Sequence, residues 1–196
     1  MRSVLLCLTS LAVLTSADLA LAQTKAVPAP QPAVTEAPPT LDKLFDDLKR
    51  ERKEHAAARI ADRIWERWRR SGSSSIDLLM LWSDDAMKAE KFSVALDFLD
   101  QVTVLQPDYA EGWNKRATVH FMMKNFRKSM ADIDQTLRLE PRHFGALSGM
   151  GQILKDTGQK QLALRAYERV LAIYPMMRSA QNEVATLSEE LAGQGI

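Results

Sequence analysis

The sequence predicts an all-α fold of stacked antiparallel helix pairs, and three observations carry that prediction. Pro107, Pro141 and Pro175 lie 34 residues apart, twice over, and from Leu41 onward proline occurs nowhere else. Proline lacks an N–H and its ring crowds the preceding turn, so a proline on a fixed beat stops one helix just before the next begins. A period of that length marks repeats of two helices. Hydrophobic residues reach 46% while the 196 residues include only eight glycines and 7% aromatics, a balance that suits helices better than sheets.

The N-terminal residues read differently. Residues 1–22 (MRSVLLCLTSLAVLTSADLALA) run from Arg2 through an apolar stretch, Val4 to Ala17, to Ala20-Leu21-Ala22. A charged start, an apolar centre and a small-x-small end describe a cleavable export signal, cut after Ala22. An uncleaved anchor is the competing reading. Against it, the stretch is shorter than the about 20 apolar residues a span needs, and Asp18 interrupts it. Cys7, the sole cysteine, lies inside this stretch without the small residues that precede a lipidated cysteine. The mature chain is thus expected to hold no thiol and to rely on its core.

Residues 23–40 (QTKAVPAPQPAVTEAPPT) gather the other five prolines among alanines. Such a segment buries too little apolar surface to pack and reads as a tether with polyproline II character. A ligand for a proline-reading domain is the sharper alternative, but no aromatic or basic flank accompanies the prolines.

Ending each unit two residues past its proline gives units 76–109, 110–143 and 144–177. Each holds two apolar-periodic segments, broken at Ala89-Glu90-Lys91, Lys124-Asn125 and Thr157-Gly158-Gln159, which reads as a helical hairpin. The units align. Large residues stand at the fourth position (Leu79, Trp113, Leu147) and the twenty-fourth (Leu99, Ile133, Tyr167). Small ones stand at the eighth (Ser83, Ala117, Gly151) and the twentieth (Ala95, Ser129, Ala163). Small residues admit a close approach of two helices, and large ones on the next turn fill the groove beside them.

One period upstream, residues 41–75 repeat the pattern in degenerate form, with Phe45, Ala61 and Trp65 at suitable positions but Lys49 and Ser73 at the eighth position and the proline position. They are expected to form a degenerate fourth unit that caps the stack, as one long helix or as a pair broken near His55. Ser75 is the expected N-cap of the following helix. Residues 178–196 supply a capping helix and tail, with Val184, Leu187 and Leu191 turned inward.

Trp113, Ala117, Ser129, Ile133 and Pro141 in the middle unit, and Leu147, Gly151, Gly158, Ala163, Tyr167 and Pro175 in the third, resemble the tetratricopeptide repeat (TPR), with its W-x₂-L-G-x₂-Y, A-x₃-F and P pattern. Unit one keeps Ala95 and Pro107, with Trp82 where leucine is usual, and Arg116 and His120 depart from the pattern in unit two. The resemblance implies a right-handed superhelix of antiparallel helix pairs with a C-terminal capping helix, and a concave groove lined by the first helix of each unit. The family's groove positions fall here on Asp77, Met80, Leu81, Asp84, Met87 and Lys88, then Glu111, Asn114, Lys115, Thr118, Phe121 and Met122, then Gly145, Ser148, Gly149, Gln152, Lys155 and Asp156. From these, Met80, Asp84, Met87, Lys88, Asn114, Lys115, Thr118, Phe121, Met122 and Gln152 are the candidate partner-binding residues. The family's clamp for a terminal carboxylate would need basic and amide groups where this chain has Met80, Asp84, Lys115, Gly145 and Gly149, so that activity is not expected.

No catalytic constellation stands out. His55, His120 and His143 are scattered, and none has a ligand-spaced partner. His120 takes a position where the family has tyrosine, so it reads as a packed, satisfied core residue. Gly149-Met150-Gly151 lies within a helix without the strand a phosphate loop requires. With 26 basic against 25 acidic residues, and the runs Lys49–Lys53 and Arg67–Arg70 diluted by glutamates, nucleic acid is not expected as a partner. The expectation is therefore a non-enzymatic interaction scaffold of the bacterial cell envelope, in the periplasm. It would hold a protein or peptide segment, need no cofactor, and touch membrane only through an uncleaved signal. The alternatives are a self-associating structural component, with Trp65 and Trp68 buried between copies, or an accessory subunit of an envelope enzyme complex.

Overall fold

The computed structural model describes residues 39–193, so the readings of the signal and of most of the tether lie outside the described residues. Among those residues every regular element is helical: α1 (Leu41–Arg50), α2 (Glu54–Trp68), α3 (Ser74–Lys88), α4 (Phe92–Leu105), α5 (Ala110–Met122), α6 (Phe126–Leu139), α7 (Phe144–Asp156), α8 (Lys160–Ile173) and α9 (Arg178–Ala192). Consecutive helices pair as α3 with α4, α5 with α6 and α7 with α8; the pairs stack through α4 on α5 and α6 on α7, and α9 covers α8.

The close approach within each pair rests on the small positions. Ser83, Ala117 and Gly151 are buried beside Leu99, Ile133 and Tyr167, and a Cβ on Gly151 would sit 2.8 Å from ring carbons of Tyr167. Ser129 adds a hydrogen bond, its Oγ donating to the Ala117 carbonyl at 2.7 Å. The turn inside each hairpin passes through the left-handed region at the same position of every unit: Glu90 (φ 56°), Lys124 (φ 59°) and Gly158 (φ 77°). Two of the three proline turns share another bond. Trp113 Nε1 donates to the Pro107 carbonyl at 2.9 Å, and Gln181 Nε2 to that of Pro175 at 2.8 Å.

One alternative left open by the sequence is decided, and two local expectations are corrected. Residues 51–53 break the N-terminal segment into α1 and α2, and the Glu51 carboxylate fixes the break by accepting the Arg52 and Lys53 N–H groups, each at 2.8 Å. The helix after the serine-rich loop begins at Ser74 with Ser73 at its N-cap, so Ser75 is already helical. There the Asp77 carboxylate holds the loop, accepting from Ser71 N at 3.1 Å and Ser71 Oγ at 2.6 Å.

The second correction concerns where α1 and α2 lie. A fourth stacked unit would cover the outer face of α3 and α4. Instead α1 packs on α8, and Leu44, Phe45, Leu48, Ile64 and Trp68 join one core with Phe144, Leu147, Val170, Tyr174 and Leu187. Polar bonds tie the same segment to all three proline turns. Gln106 Nε2 donates to the Ser71 carbonyl at 2.8 Å, Arg142 Nη1 to Asp42 at 2.7 Å, and Arg178 Nη2 to Glu54 at 2.9 Å. Arg142 also lies over the Phe45 ring, 4.1 Å from its centre. Trp65 and Trp68 are therefore used within the chain, against His143 and Phe144, and are not held for contact between copies. The outer face of α3 stays open: Trp82, expected to fill a packing position, is 45% exposed and rests on Phe98, ring centres 5.6 Å apart.

Candidate functional site

The candidate residues lie on α3, α5 and α7, the first helices of the three units. Their polar groups are bonded within the chain. Lys115 Nζ pairs with the Asp84 carboxylate across α3 and α5, and the lysine side chain is only 14% exposed. Asn114 Nδ2 donates to Glu111 at 3.0 Å, Thr118 Oγ1 to the Asn114 carbonyl at 3.0 Å, and Gln152 Nε2 to Asp156 at 2.7 Å. The Tyr167 hydroxyl reaches Gln152 Oε1 at 3.4 Å, and burial pushes that phenol up to about 12. Lys88 points away to Asp85 at 3.1 Å and is well exposed. Of the cations expected to ring the site, then, Lys115 is already neutralised within the fold.

The apolar candidates divide. Met80 is corrected to core: it is 6% exposed, in a cluster with Ile76, Tyr109 and Val119. Met87 packs partly against that cluster, and Phe121 packs against the next one, its ring 5.7 Å from that of Phe126. Met122 is 46% exposed. Leu81, at a family groove position but left out of the candidates, is 53% exposed and is the large apolar side chain of α3 most open to solvent. It lies in the run Leu78 to Trp82, and five successive apolar residues give no periodic clue to which one faces outward.

At the third unit the same face is partly covered. Trp65 lies on Gly145, where a Cβ would come within 2.6 Å of the indole. Beside it, His143 is fully buried. Its Nδ1 accepts the Ala146 N–H at 3.0 Å, which caps α7, so Nε2 carries the proton and donates to Glu111 at 3.1 Å. Sequence reading missed this pair because its members stand 32 residues apart on separate units.

Between units one and two, Arg116 replaces the usual apolar contact with a polar one. Its Nε and Nη2 donate to both oxygens of Asp132 at 2.9 and 2.7 Å, and Nη1 donates to Asp100 at 2.8 Å and Thr103 at 2.9 Å. The bidentate Asp132 pairing raises the guanidinium pKa. His120 is buried next to this network, but its Nδ1 has no hydrogen-bond partner, so the expectation of a satisfied residue is corrected. Burial, opposed by Asp132 and aided by Lys128 and Arg116, holds its pKa below the ordinary value. No group of three or more His, Cys, Asp or Glu among the described residues is placed to hold a metal ion.

No family model matches the chain. A TPR repeat-containing protein of Rhizobium etli is 55% identical over 153 residues, which cover 78% of this chain and 75% of that protein. Among solved structures, the first TPR of Spaghetti (RPAP3), bound to the HSP90 peptide SRMEEVD, superposes with a TM-score of 0.57 at 25% identity, over 60% of this chain and 93% of that one. A crystal structure of MamA superposes with a TM-score of 0.55 at 17% identity, over 76% and 79% of the two chains, a likeness of fold.

Proposed function

This chain belongs to the tetratricopeptide-repeat family, and from that premise we propose that it is a non-catalytic scaffold that binds an apolar partner segment on the face of α3 and α5. Its repeats make it a protein-interaction module. One observation carries the finer reading. Asp84, Lys115, Glu111, Asn114 and Gln152 are bonded within the chain, while Leu81 and Met122 stay open to solvent. A charged ligand would have to break existing pairs. An apolar one removes exposed surface, and the flexible thioether of Met122 adapts to its shape.

The Spaghetti domain holds an acidic peptide, SRMEEVD. Where the family's carboxylate clamp would fall, this chain has a buried Met80, a paired Asp84 and Lys115, Gly145 lying under Trp65, and Gly149. An acidic tail therefore finds no free cation among them. Selection from a displayed peptide library tests the reading. Enriched peptides should carry large apolar residues and lose binding to Leu81→Glu and Met122→Glu, exposed positions where helicity should persist. Enrichment of acidic C-termini, or binding untouched by both substitutions, would overturn it.

Export is part of the same proposal. It rests on the order of Arg2, the apolar stretch and Ala20-Leu21-Ala22. Recovery of the chain from the periplasmic fraction with Gln23 as its first residue would support it. A cytoplasmic chain beginning at Met1 would refute it.

A further inference from the structure

We propose that the exposed side of α2 is a docking face for anionic phospholipid headgroups, separate from the surface assigned to the partner segment. Arg59, Arg63, Arg67 and Arg70 are exposed and recur every three or four residues. They form one stripe, opposite the buried Ala57, Ala61, Ile64 and Trp68, and it runs for about 16 Å along the helix. Arginine ion pairs among the described residues belong to Arg50, Arg116, Arg142 and Arg178, and the stripe supplies none of them. Asp47 and Glu51 lie within electrostatic reach of Arg63 and Arg59, but both are already engaged. Asp47 accepts from Lys43 Nζ at 2.6 and 2.7 Å, and Glu51 accepts the Arg52 and Lys53 N–H groups. Asp62 and Glu66 share the exposed side of α2. Between residues 59 and 70, five arginines (Arg69 is the fifth) stand against these two carboxylates, a net charge of +3 in a chain whose total is +1. The rest of the chain is therefore net acidic, and the basic excess lies here.

The ligand chemistry follows from the residue type and the relief of the surface. Arg63, Arg67 and Arg70 line a cavity of about 190 Å³ together with Glu66, Leu44 and Pro39, and Arg67 Nη2 donates to the Pro39 carbonyl at 3.2 Å. A guanidinium is planar, weakly hydrated and meets two oxygens of one phosphate at once. Three of them around a small cavity with apolar wall on one side suit a phosphate group and the carbon skeleton attached to it. A soluble phosphate would use the cavity alone. Arg59 lies one turn beyond its lining on the same stripe, and a plane of headgroups engages both. A straight basic row on one helix matches a flat anionic surface, whereas nucleic acid needs a wider basic face.

Co-sedimentation of the full-length chain with vesicles tests this, using phosphatidylcholine alone and equal parts of phosphatidylcholine and phosphatidylglycerol. Each arginine near an anionic surface adds about fivefold to binding. The anionic vesicles should therefore bind the chain about a hundredfold more tightly than the neutral ones, and raised salt should erase the difference. Arg59→Gln, Arg63→Gln and Arg70→Gln combined should bring binding down to the neutral level with unchanged circular dichroism. Should that variant misfold, Arg63→Gln alone should weaken binding about fivefold. Arg127→Gln, Arg138→Gln and Arg165→Gln combined remove the same charge from exposed sites on α6 and α8 and should bind as wild type does. Equal binding to both vesicles, or an equal loss in the second combination, would overturn the proposal. So would release by inorganic phosphate at an ionic strength where chloride releases nothing, which would assign the cavity to a soluble phosphate. Binding to immobilised polyglutamate as tight as to the anionic vesicles would assign the stripe to an acidic protein instead.

Discussion

The imidazole of His143 lies flat on the indole of Trp68, ring centres 4.0 Å apart and planes 8° from parallel. One buried residue thus joins α2, the cap of α7 and Glu111 of α5. His143→Ala would remove the stack and the cap and leave the buried Glu111 with Asn114 alone. The expected loss is about 2–4 kcal/mol in urea unfolding. His143→Asn restores a capping side chain but neither the stack nor the Glu111 bond, so it should recover part of that loss. An alanine variant as stable as wild type would mean that the junction contributes nothing.

Close approach between α7 and α8 rests on Gly151 and Ala163, the latter fully buried. Gly151→Leu and Ala163→Leu should each destabilise by about 1–3 kcal/mol through overpacking. Thermal melting checks this, and unchanged midpoints for both would disprove the packing described.

The left-handed turn position makes opposite predictions for the same kind of change. Glu90 and Lys124 hold positive φ with a Cβ, whereas Gly158 does so without one. Glu90→Gly or Lys124→Gly should therefore stabilise by about 0.5–1 kcal/mol, and Gly158→Ala should cost about 1 kcal/mol. All three sites are exposed, so denaturant midpoints report the backbone effect with little interference from packing.

His120 sets a pH dependence. Its pKa in the fold is below the unfolded value near 6.5, first because of burial and despite Asp132. Above 6.5 neither state binds the proton and the stability is fully present. As pH falls from 6.5 through the folded value, the unfolded chain takes up a proton first and stability is lost. Melts between about pH 7.5 and pH 5 should show this fall, and His120→Tyr should flatten it. An identical slope in the variant would assign the effect to other groups.

The repeat pattern was legible because it reflects contacts internal to each hairpin. The small positions Ser83, Ala117 and Gly151 specify how closely two neighbouring helices approach, wherever the pair goes. The place of α1 and α2 was not legible. Leu44, Leu48, Ile64 and Trp68 form the same apolar stripe whether they cover α3 or the proline turns, and periodicity says only that a stripe is buried. The site was legible to the level of its helices and no further. Position within the unit does not distinguish Met80, closed in with Tyr109 and Val119, from Leu81 in the open. Nor does it show that Lys115 and Asp84 meet.

The return of α1 and α2 to the far end changes the kind of object the chain is. In a simple repeat array each unit touches only its neighbours, so stability adds along one dimension and the ends fray first. Here Asp42 meets Arg142 and Glu54 meets Arg178, across 100 and 124 residues. The start of the fold thereby clasps its finish, and the last hairpin cannot open without releasing the first. The line becomes a loop, in which local order nucleates each hairpin but the final, high-contact-order closure makes unfolding a single cooperative event.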